Sequence, residues 1–279
     1  MFLRAMIATD RRPMFLLALC FSLLLATATG QDSNLPPALR SAVPLLCTEN
    51  HQAARTRVRG TGVIADSGGT MLTAAHVVQQ ARSDCTLSVM VPDDEWSRFR
   101  QLHAFLIKDC RLFLPLDLAA CRIRPADSSR DWSYLRPAQI RLQSAATGVP
   151  VWMTSFTGWG LLPLVRRGRI QGRHIYQRKD GCYCDFATDI PAVEGMSGSP
   201  VLDTDGQVIG ILTLAGSGEF RGLSFGASLQ EAASFLKAEG VALAGNSLPT
   251  PLPSESDREL SDHRSGRRHE AHTEQGPQY

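Results

Sequence analysis

Several features that mark other classes of protein are scarce in this sequence. Its 279 residues contain 29 basic and 27 acidic side chains, which leaves a net charge of only +2 at pH 7. A charge so close to zero gives no electrostatic reason to expect nucleic acid or an acidic membrane surface as a partner. No helical period of useful length lies between the N-terminal apolar segment and residue 228. Short apolar runs broken by glycine dominate instead, and these favour strands.

Metal-binding spacings are also missing. The sequence has no Cys-x-x-Cys and no His-x-x-x-His pair, so a zinc site is disfavoured and we expect no metal and no cofactor. Beyond the N-terminal segment the cysteines are Cys47, Cys85, Cys110, Cys121, Cys182 and Cys184. An even set in an exported chain predicts disulfides, although the spacing leaves their connectivity open. Cys182 and Cys184 are two residues apart, so in a strand they point the same way and should have separate partners.

Residues 1–30 have the pattern of a signal peptide. Arginines precede an apolar run over residues 14–25, and Ala26-Thr27-Ala28 then offers small residues for cleavage. An uncleaved membrane anchor is the alternative, but the run is shorter than the about 20 residues that span a bilayer. We therefore predict export to the periplasm or the medium of a bacterium, with no stable membrane insertion after cleavage.

Composition divides the rest of the chain into an arm, a strand-rich region, a helix and a tail. Polar and proline-containing residues predict a loose N-terminal arm over residues 31–45. Ser228-Leu229-Gln230-Glu231 has the form of a capping box and predicts a helix over residues 228–239, which Gly240 would end. The apolar face of this helix is Leu229, Ala232, Ala233 and Leu236. Residues 246–279 lack a core-forming pattern and predict a disordered tail.

Three short motifs carry the residues of a nucleophilic site. Glu194-Gly195-Met196-Ser197-Gly198-Ser199-Pro200 places one serine among small residues, which predicts a tight turn close to a ligand. A hydroxyl is a weak nucleophile unless a base takes its proton. A histidine lies upstream in Thr73-Ala74-Ala75-His76-Val77, and a carboxylate lies between them in Leu116-Asp117-Leu118-Ala119-Ala120. This order of His, Asp and Ser differs from that of subtilisins and of α/β-hydrolases.

On these motifs the sequence resembles the trypsin-like serine proteases, nearest the bacterial branch that includes glutamyl endopeptidases and Deg-type proteases. The resemblance implies an all-β fold of two six-stranded antiparallel β-barrels, chymotrypsin-like, with a C-terminal helix. It places the protease domain at residues 46–240, with barrel one at about 46–130 and barrel two at about 150–227. We expect no PDZ domain, which Deg-type proteases usually carry, after residue 240.

The same resemblance implies a role for each motif. Ser197 would be the nucleophile, His76 its general base, and Asp117 the carboxylate that orients the imidazole. The backbone N–H groups of Gly195 and Ser197 would form the oxyanion hole. Met196 stands where digestive trypsins have the aspartate that pairs with a new N-terminus, so that zymogen switch is not expected.

The resemblance also implies where the substrate side chain binds. Pro191 and Ala192 would line the base of the primary pocket, Glu194 would lie near its rim, and Thr213, Leu214 and Ala215 would form its wall. Neither the base nor the wall carries a charge. We therefore expect cleavage after small or medium apolar residues, and not after Arg, Lys or Glu.

These expectations define a leading function and an alternative from another class. The leading function is an exported serine endopeptidase that acts on protein or peptide substrates through an acyl-enzyme. The alternative is a catalytically silent relative that binds peptides or a partner protein, and the presence of all three triad residues argues against it. A lipase or esterase of the α/β-hydrolase type would need glycine at the position of Ser199 and a βαβ pattern, and the sequence has neither. The oligomeric state is left open.

Overall fold

The computed structural model describes most of the predicted protease domain. The described residues are 40–49, 56–81, 85–94, 96, 101–127, 132–144, 146–158, 160–173, 176–177 and 183–244. The predicted signal peptide, the first part of the predicted arm, Cys182 and the predicted tail over 246–279 lie outside them.

Six antiparallel strands form the first barrel. They are β1 (Ala42–Glu49), β2 (Thr56–Ile64), β3 (Thr70–Ala74), β4 (Cys85–Pro92), β5 (Leu102–Phe113) and β6 (Leu118–Pro125). They close in the order β1-β2-β3-β6-β5-β4. A short helix, α1 (Ala75–Ala81), follows β3 directly. A turn over residues 66–69 joins β2 to β3, and in it the Asp66 carboxylate accepts a hydrogen bond from the Thr70 N–H at 2.9 Å.

Six further strands form the second barrel. They are β7 (Pro150–Thr157), β8 (Gly160–Gly172), β11 (Phe186–Thr188), β12 (Pro200–Leu202), β13 (Val208–Ala215) and β14 (Ser224–Ser228). They close in the order β11-β14-β13-β12-β7-β8, while β9 (Tyr176–Gln177) and β10 (Tyr183–Cys184) pair only with each other. The two closed barrels confirm the predicted all-β, chymotrypsin-like fold class.

The first strand begins earlier than the sequence pattern indicates. The pattern predicts an arm over residues 31–45, yet β1 starts at Ala42. Ala42, Val43 and Leu45 are all buried, at 1% exposure or less. The partners of this apolar run, β2 and β4, follow it along the chain. The composition of residues 42–45 alone therefore does not predict that they are buried. The predicted boundary of barrel one at residue 46 is wrong.

The C-terminal helix begins later than the capping box predicts. The helix α2 spans Ala233–Ala238, and Ser228 is the last residue of β14. Ser228 lies opposite Gly210 in the pairing of β14 with β13, so strand pairing prevails over the local helix signal at this residue. The Ser228 hydroxyl accepts a hydrogen bond from the Gln230 N–H at 3.2 Å, as in a turn and not a capping box.

The predicted end of this helix at Gly240 is confirmed. Gly240 has a φ of 69°, and its N–H donates to the Lys237 carbonyl at 3.1 Å. The Val241 N–H donates to the Leu236 carbonyl at 2.9 Å, which completes a Schellman motif. Within the described ranges, no helix has the length and hydropathy that a membrane crossing requires.

Three apolar clusters are the largest of those that the described residues form. One fills barrel one around Met71 and Phe105, and another fills barrel two around Met153 and Met196. The third, named here the interbarrel cluster, consists of Val63, Ala65, Leu72, Leu116, Leu118, Ala120, Ala138, Ile140, Leu202, Val208, Ile211, Ala227, Leu229, Ala232, Leu236 and Val241. Because this cluster draws on both barrels and on the segment around α2, the barrels pack as one body.

Two disulfides lie in barrel one. Cys47–Cys85 joins β1 to β4, and Cys110–Cys121 joins opposed residues of β5 and β6. They confirm the disulfide prediction for four of the cysteines and supply the connectivity that the spacing left open. Cys184 is buried, with its sulfur 3.4 Å from the Thr213 hydroxyl oxygen. Because Cys182 lies outside the described residues, the expected separate partners of this pair stay a prediction.

Candidate active site

The pairing of β3 with β6 brings His76 and Asp117 to one edge of barrel one. Ala74, the last residue of β3, lies opposite Leu118, the first residue of β6. His76 follows Ala74 by two positions in α1, and Asp117 immediately precedes Leu118. Asp117 has a φ of 53°, a left-handed conformation that few non-glycine residues adopt. Its N–H closes a 3₁₀ turn on the Leu114 carbonyl at 3.0 Å.

Both carboxylate oxygens of Asp117 bind His76. Oδ2 lies 2.7 Å from His76 Nδ1, and Oδ1 accepts a hydrogen bond from the His76 backbone N–H at 2.8 Å. Asp117 is 2% exposed, whereas the His76 side chain is 23% exposed. A carboxylate at Nδ1 favours the imidazole tautomer that carries its proton there, which leaves Nε2 able to accept a proton. The pair is therefore oriented as a general base requires.

Ser197 lies in a turn that needs glycine at two positions. Gly195 and Gly198 have φ values of 92° and 89°, in the region where side chains are strained. The Met196 N–H donates to the Val193 carbonyl at 3.1 Å. Val193–Met196 is therefore a β-turn with a positive φ at its third residue, as a type II turn requires. The Ser197 side chain is half-buried.

This turn packs closely against barrel one. The Thr61 N–H in β2 donates to the Ser197 carbonyl at 2.8 Å. A Cβ on Gly198 would lie 2.0 Å from the Thr61 carbonyl oxygen, so no side chain fits there. A Cβ on Gly60 would lie 3.0 Å from the Ser197 carbonyl oxygen and 2.7 Å from the Val77 side chain in α1. Gly60 is thus a common neighbour of the serine turn and of the helix that carries the predicted base.

The two predicted oxyanion donors have bonded carbonyls and open N–H groups. The Gly195 carbonyl accepts a hydrogen bond from the Thr61 hydroxyl at 3.0 Å. Among the described residues, the N–H groups of Gly195 and Ser197 donate to no backbone acceptor. Two such N–H groups beside a serine hydroxyl could stabilise an oxyanion on an attacked carbonyl.

The predicted pocket residues lie on two segments of barrel two. In the loop before Ser197, Pro191 and Glu194 are exposed and Ala192 is half-buried. At the end of β13, Thr213 is buried, Leu214 is half-buried and Ala215 is exposed. The Gly198 N–H donates to the Leu212 carbonyl at 2.7 Å, which holds this end of β13 beside the serine turn. Their joint role as a pocket stays a prediction.

Two residues that the sequence pattern did not single out also touch this region. Arg166 Nη1 donates to the Pro191 carbonyl at 2.8 Å, so β8 holds the loop predicted to form the pocket base. Thr61 binds the carbonyls of both predicted oxyanion donors. Their sequence signals are weak, because Arg166 stands in a basic stretch typical of a solvated strand, and Thr61 is a small residue between two glycines of a strand.

Another buried carboxylate lies on a different strand connection. Asp185 is 8% exposed, and its Oδ1 accepts a hydrogen bond from the Ser228 N–H at 2.6 Å. Burial raises the pKa of Asp185 above its ordinary value of 3.8, against the lowering effects of that hydrogen bond and of Arg173. Within the described ranges, no three His, Cys, Asp or Glu side chains are grouped so as to hold a metal ion.

Solved structures with the same architecture include an HtrA-type protease and the MamO protease domain. An HtrA-type protease, AlgW, solved with a tripeptide, has a TM-score of 0.55 and 21% identity, and the match covers 72% of this chain and 60% of that chain. The MamO protease domain from Magnetospirillum magneticum, in its apo form, has a TM-score of 0.56 and 18% identity, with 72% and 97% coverage. At such identities the likeness shows the fold alone.

Sequence comparison goes further. A probable periplasmic serine endoprotease, DegP-like, from Chlamydia muridarum is 29% identical over an alignment of 175 residues, and the match covers 61% of this chain. The match covers 31% of that protein, so this chain spans about a third of the relative's length. The family model of the trypsin-like peptidase domain matches residues 60–211, more than half of the chain. This chain therefore belongs to the trypsin-like peptidase family, with Deg- and HtrA-type serine proteases among its relatives.

Proposed function

We propose that this protein is an exported serine endopeptidase that cleaves protein or peptide substrates through His76, Asp117 and Ser197. The observation that carries the proposal is the 2.7 Å contact between His76 Nδ1 and the Asp117 carboxylate, at the barrel edge beside the serine turn. A histidine and an aspartate paired only for stability would not require a glycine turn with two open N–H groups packed against Ala74, two residues before the histidine.

In the first half of the reaction, His76 Nε2 takes the Ser197 proton as Oγ attacks the carbonyl carbon of the scissile bond. Asp117 stabilises the imidazolium that results. The N–H groups of Gly195 and Ser197 bind the negative oxygen of the tetrahedral intermediate. When the intermediate collapses, the C–N bond breaks, the leaving amine takes the proton from His76, and an ester remains on Ser197.

The second half repeats these steps with water as the nucleophile. His76 takes a proton from water, the resulting hydroxide attacks the ester carbonyl, and the same two N–H groups bind the oxyanion. Collapse returns the proton to Ser197 Oγ and releases the carboxylic acid. Each residue acts twice, and the enzyme is regenerated.

A preference for small or medium apolar side chains is supported by the residues predicted to line the pocket. Pro191, Ala192 and Leu214 are apolar, and Thr213 is buried. The acidic Glu194 is exposed, where it would disfavour acidic substrates. A peptide-library profile dominated by Arg, Lys or Glu at the cleaved position would contradict this preference.

Export is supported by the disulfides of barrel one, because disulfides persist in oxidising compartments. The apolar run that predicts a signal peptide and the periplasmic relative from Chlamydia muridarum point in the same direction.

Labelling with a fluorophosphonate probe tests the nucleophile without knowledge of the substrate. We expect the disulfide-intact protein to be labelled and Ser197→Ala to be unlabelled. Ser67→Ala, which removes an exposed serine in the turn between β2 and β3, is the matched control and should be labelled like the wild type. Absence of labelling in folded wild-type protein would favour the catalytically silent, peptide-binding alternative.

A further inference from the structure

Glycine makes the serine turn adaptable, so the direction of its N–H groups needs an outside constraint. Gly195 populates positive and negative φ about equally well. The proposed oxyanion hole requires that the N–H groups of Gly195 and Ser197 keep one position relative to each other, so the whole turn has to be held against the rest of the molecule. The turn sequence alone does not select one orientation.

Thr61 supplies contacts that fix the turn. Its hydroxyl donates to the Gly195 carbonyl at 3.0 Å, and its backbone N–H donates to the Ser197 carbonyl at 2.8 Å. One residue of barrel one therefore holds the carbonyls of both residues whose N–H groups form the proposed oxyanion hole. The peptide plane between Gly195 and Met196 is held at both ends, because the Met196 N–H also donates to the Val193 carbonyl.

Thr61 is itself held in place. It is fully buried, and its carbonyl accepts a hydrogen bond from the Thr73 hydroxyl at 2.7 Å. Its own hydroxyl accepts a hydrogen bond from the Phe156 N–H in β7 at 2.9 Å. This N–H lies at the irregularity in the pairing of β7 with β8 between Ser155 and Thr157. Because a hydroxyl has a single proton, the bond from Phe156 leaves that proton for the Gly195 carbonyl.

We propose that Thr61 is a positioning residue that sets the oxyanion hole of barrel two from barrel one, through its hydroxyl bond to the Gly195 carbonyl. The inference rests on the proposed function and adds a residue to it. Thr61 touches no reacting atom. Its contribution is to the orientation of donors that bind charge only in the transition state, so its loss should lower kcat and leave KM almost unchanged.

Two variants at Thr61 distinguish the effect of the hydroxyl from the effect of the rest of the side chain. Thr61→Val keeps the shape and removes the hydroxyl, whereas Thr61→Ser keeps the hydroxyl. Thr70→Val is the matched control, because Thr70 is also buried in barrel one and accepts a side-chain hydrogen bond from Arg122 far along β3 from the site. Thermal unfolding of each variant establishes that it is folded.

The measurements are the second-order rate of fluorophosphonate labelling and the kcat and KM for a peptide p-nitroanilide with alanine or valine at the cleaved position. We expect Thr61→Val to lower kcat and the labelling rate by about 10- to 100-fold, less than the loss of an oxyanion donor itself. Thr61→Ser should remain within about threefold of the wild type and Thr70→Val within about twofold, with KM little changed in all three.

Three results would overturn the proposal. They are an unchanged kcat in Thr61→Val, a rise in KM with kcat intact, and an equal loss of kcat in Thr61→Ser and Thr61→Val. If Thr61→Val does not fold, Thr61→Ala is compared with Thr61→Ser by the same criteria. An unlabelled wild-type protein would overturn the proposed function together with this inference. A labelled wild type with an unaffected Thr61→Val would overturn this inference alone.

Discussion

The two barrels have the same strand arrangement but hold their parts of the site by different means. In barrel one, two disulfides cross-link neighbouring strands, and His76 and Asp117 are joined directly by their side chains. In barrel two, no disulfide joins two of the described residues, and Ser197 stands on a turn with two left-handed glycines. That turn is held by two hydrogen bonds from Thr61 in β2 of barrel one and by one from the Gly198 N–H to β13.

This difference shows which part of the proposed site comes from one barrel and which part depends on the contact between both barrels. The proposed base His76 and its carboxylate Asp117 lie at adjoining ends of β3 and β6, so both members of the pair come from barrel one. The serine turn needs Thr61 and the close approach of Gly198 to β2, so it requires the docked barrels. Changes in barrel one should therefore affect chemistry or global stability, and changes in the turn should affect both.

The largest effect on activity is expected from the pair in barrel one. Asp117→Asn keeps the shape but favours the wrong imidazole tautomer, and we expect kcat to fall by about 10⁴-fold. Steady-state kinetics with a peptide p-nitroanilide measure this effect. Asp66→Asn, in the turn between β2 and β3, is the control and should stay near the wild type. An Asp117→Asn enzyme within tenfold of wild-type kcat would remove Asp117 from the mechanism.

A side chain at Gly198 tests the backbone fit of barrel two. Gly198→Ala combines a φ of 89° with a Cβ 2.0 Å from the Thr61 carbonyl oxygen, and we expect roughly 3–5 kcal/mol of destabilisation together with loss of labelling. Gly148→Ala is the matched control, since Gly148 has a φ of 83° but no atom within 4 Å of its Cβ position. It should cost only about 1–2 kcal/mol. If urea unfolding shows the same loss of stability for Gly198→Ala and Gly148→Ala, the close contact with the Thr61 carbonyl oxygen is unimportant.

The two disulfides should differ in what they contribute to barrel one. Cys47–Cys85 has a sequence separation of 38 and Cys110–Cys121 one of 11. By loop entropy, replacing the first pair with alanine should cost about 4 kcal/mol and the second about 3 kcal/mol. Urea unfolding of the two double variants compares them. A larger loss of unfolding free energy on replacing the Cys110–Cys121 pair would argue that packing in the native state, and not loop length, determines how much each disulfide stabilises the protein.

The smallest effect concerns the pH dependence of stability through Asp185. Burial raises the pKa of Asp185, so the folded state favours the protonated acid. The stabilisation from this group is full below pH 3.8 and is lost as pH rises through the raised pKa. Asp185→Asn should therefore gain in Tm relative to wild type as pH rises, within about 4 °C. Scanning calorimetry from pH 3 to 7 measures it, with Glu219→Gln as the control for net charge. A difference in Tm that falls with pH would contradict the assignment.

The sequence predicted best the features that depend on short motifs or on a pattern repeated along the chain. The short apolar runs broken by glycine predict strands. The family resemblance carried by the motifs around His76, Asp117 and Ser197 implies both barrels and a contact between His76 and Asp117, where the structure finds a hydrogen bond. The start of β1 was wrong because its burial depends on strands later in the chain. The capping box at Ser228 failed because pairing with β13 extends the strand through that residue.

Contacts between distant segments of the chain were the part that local patterns could not give. Thr61 and Arg166 act through backbone carbonyls of residues that lie, respectively, 134 and 25 positions away. Every residue type has a backbone carbonyl, so the pattern of side chains in the sequence does not predict which carbonyl such a bond will reach. The disulfide connectivity was open for a related reason, since the register of β5 with β6, and not spacing, sets Cys110 opposite Cys121.

The interbarrel cluster also bears on when the proposed active site can form as the chain is made. Leu229, Leu236 and Val241 belong to this cluster, and they leave the ribosome after both barrels have been made. Until they arrive, the facing surfaces of the barrels lack part of their shared apolar cover, and a nascent chain folds in the order in which it emerges. The serine turn needs those surfaces docked. The proposed active site should therefore form only after the segment around α2 has been made and, in an exported chain, has reached the compartment where both barrels fold.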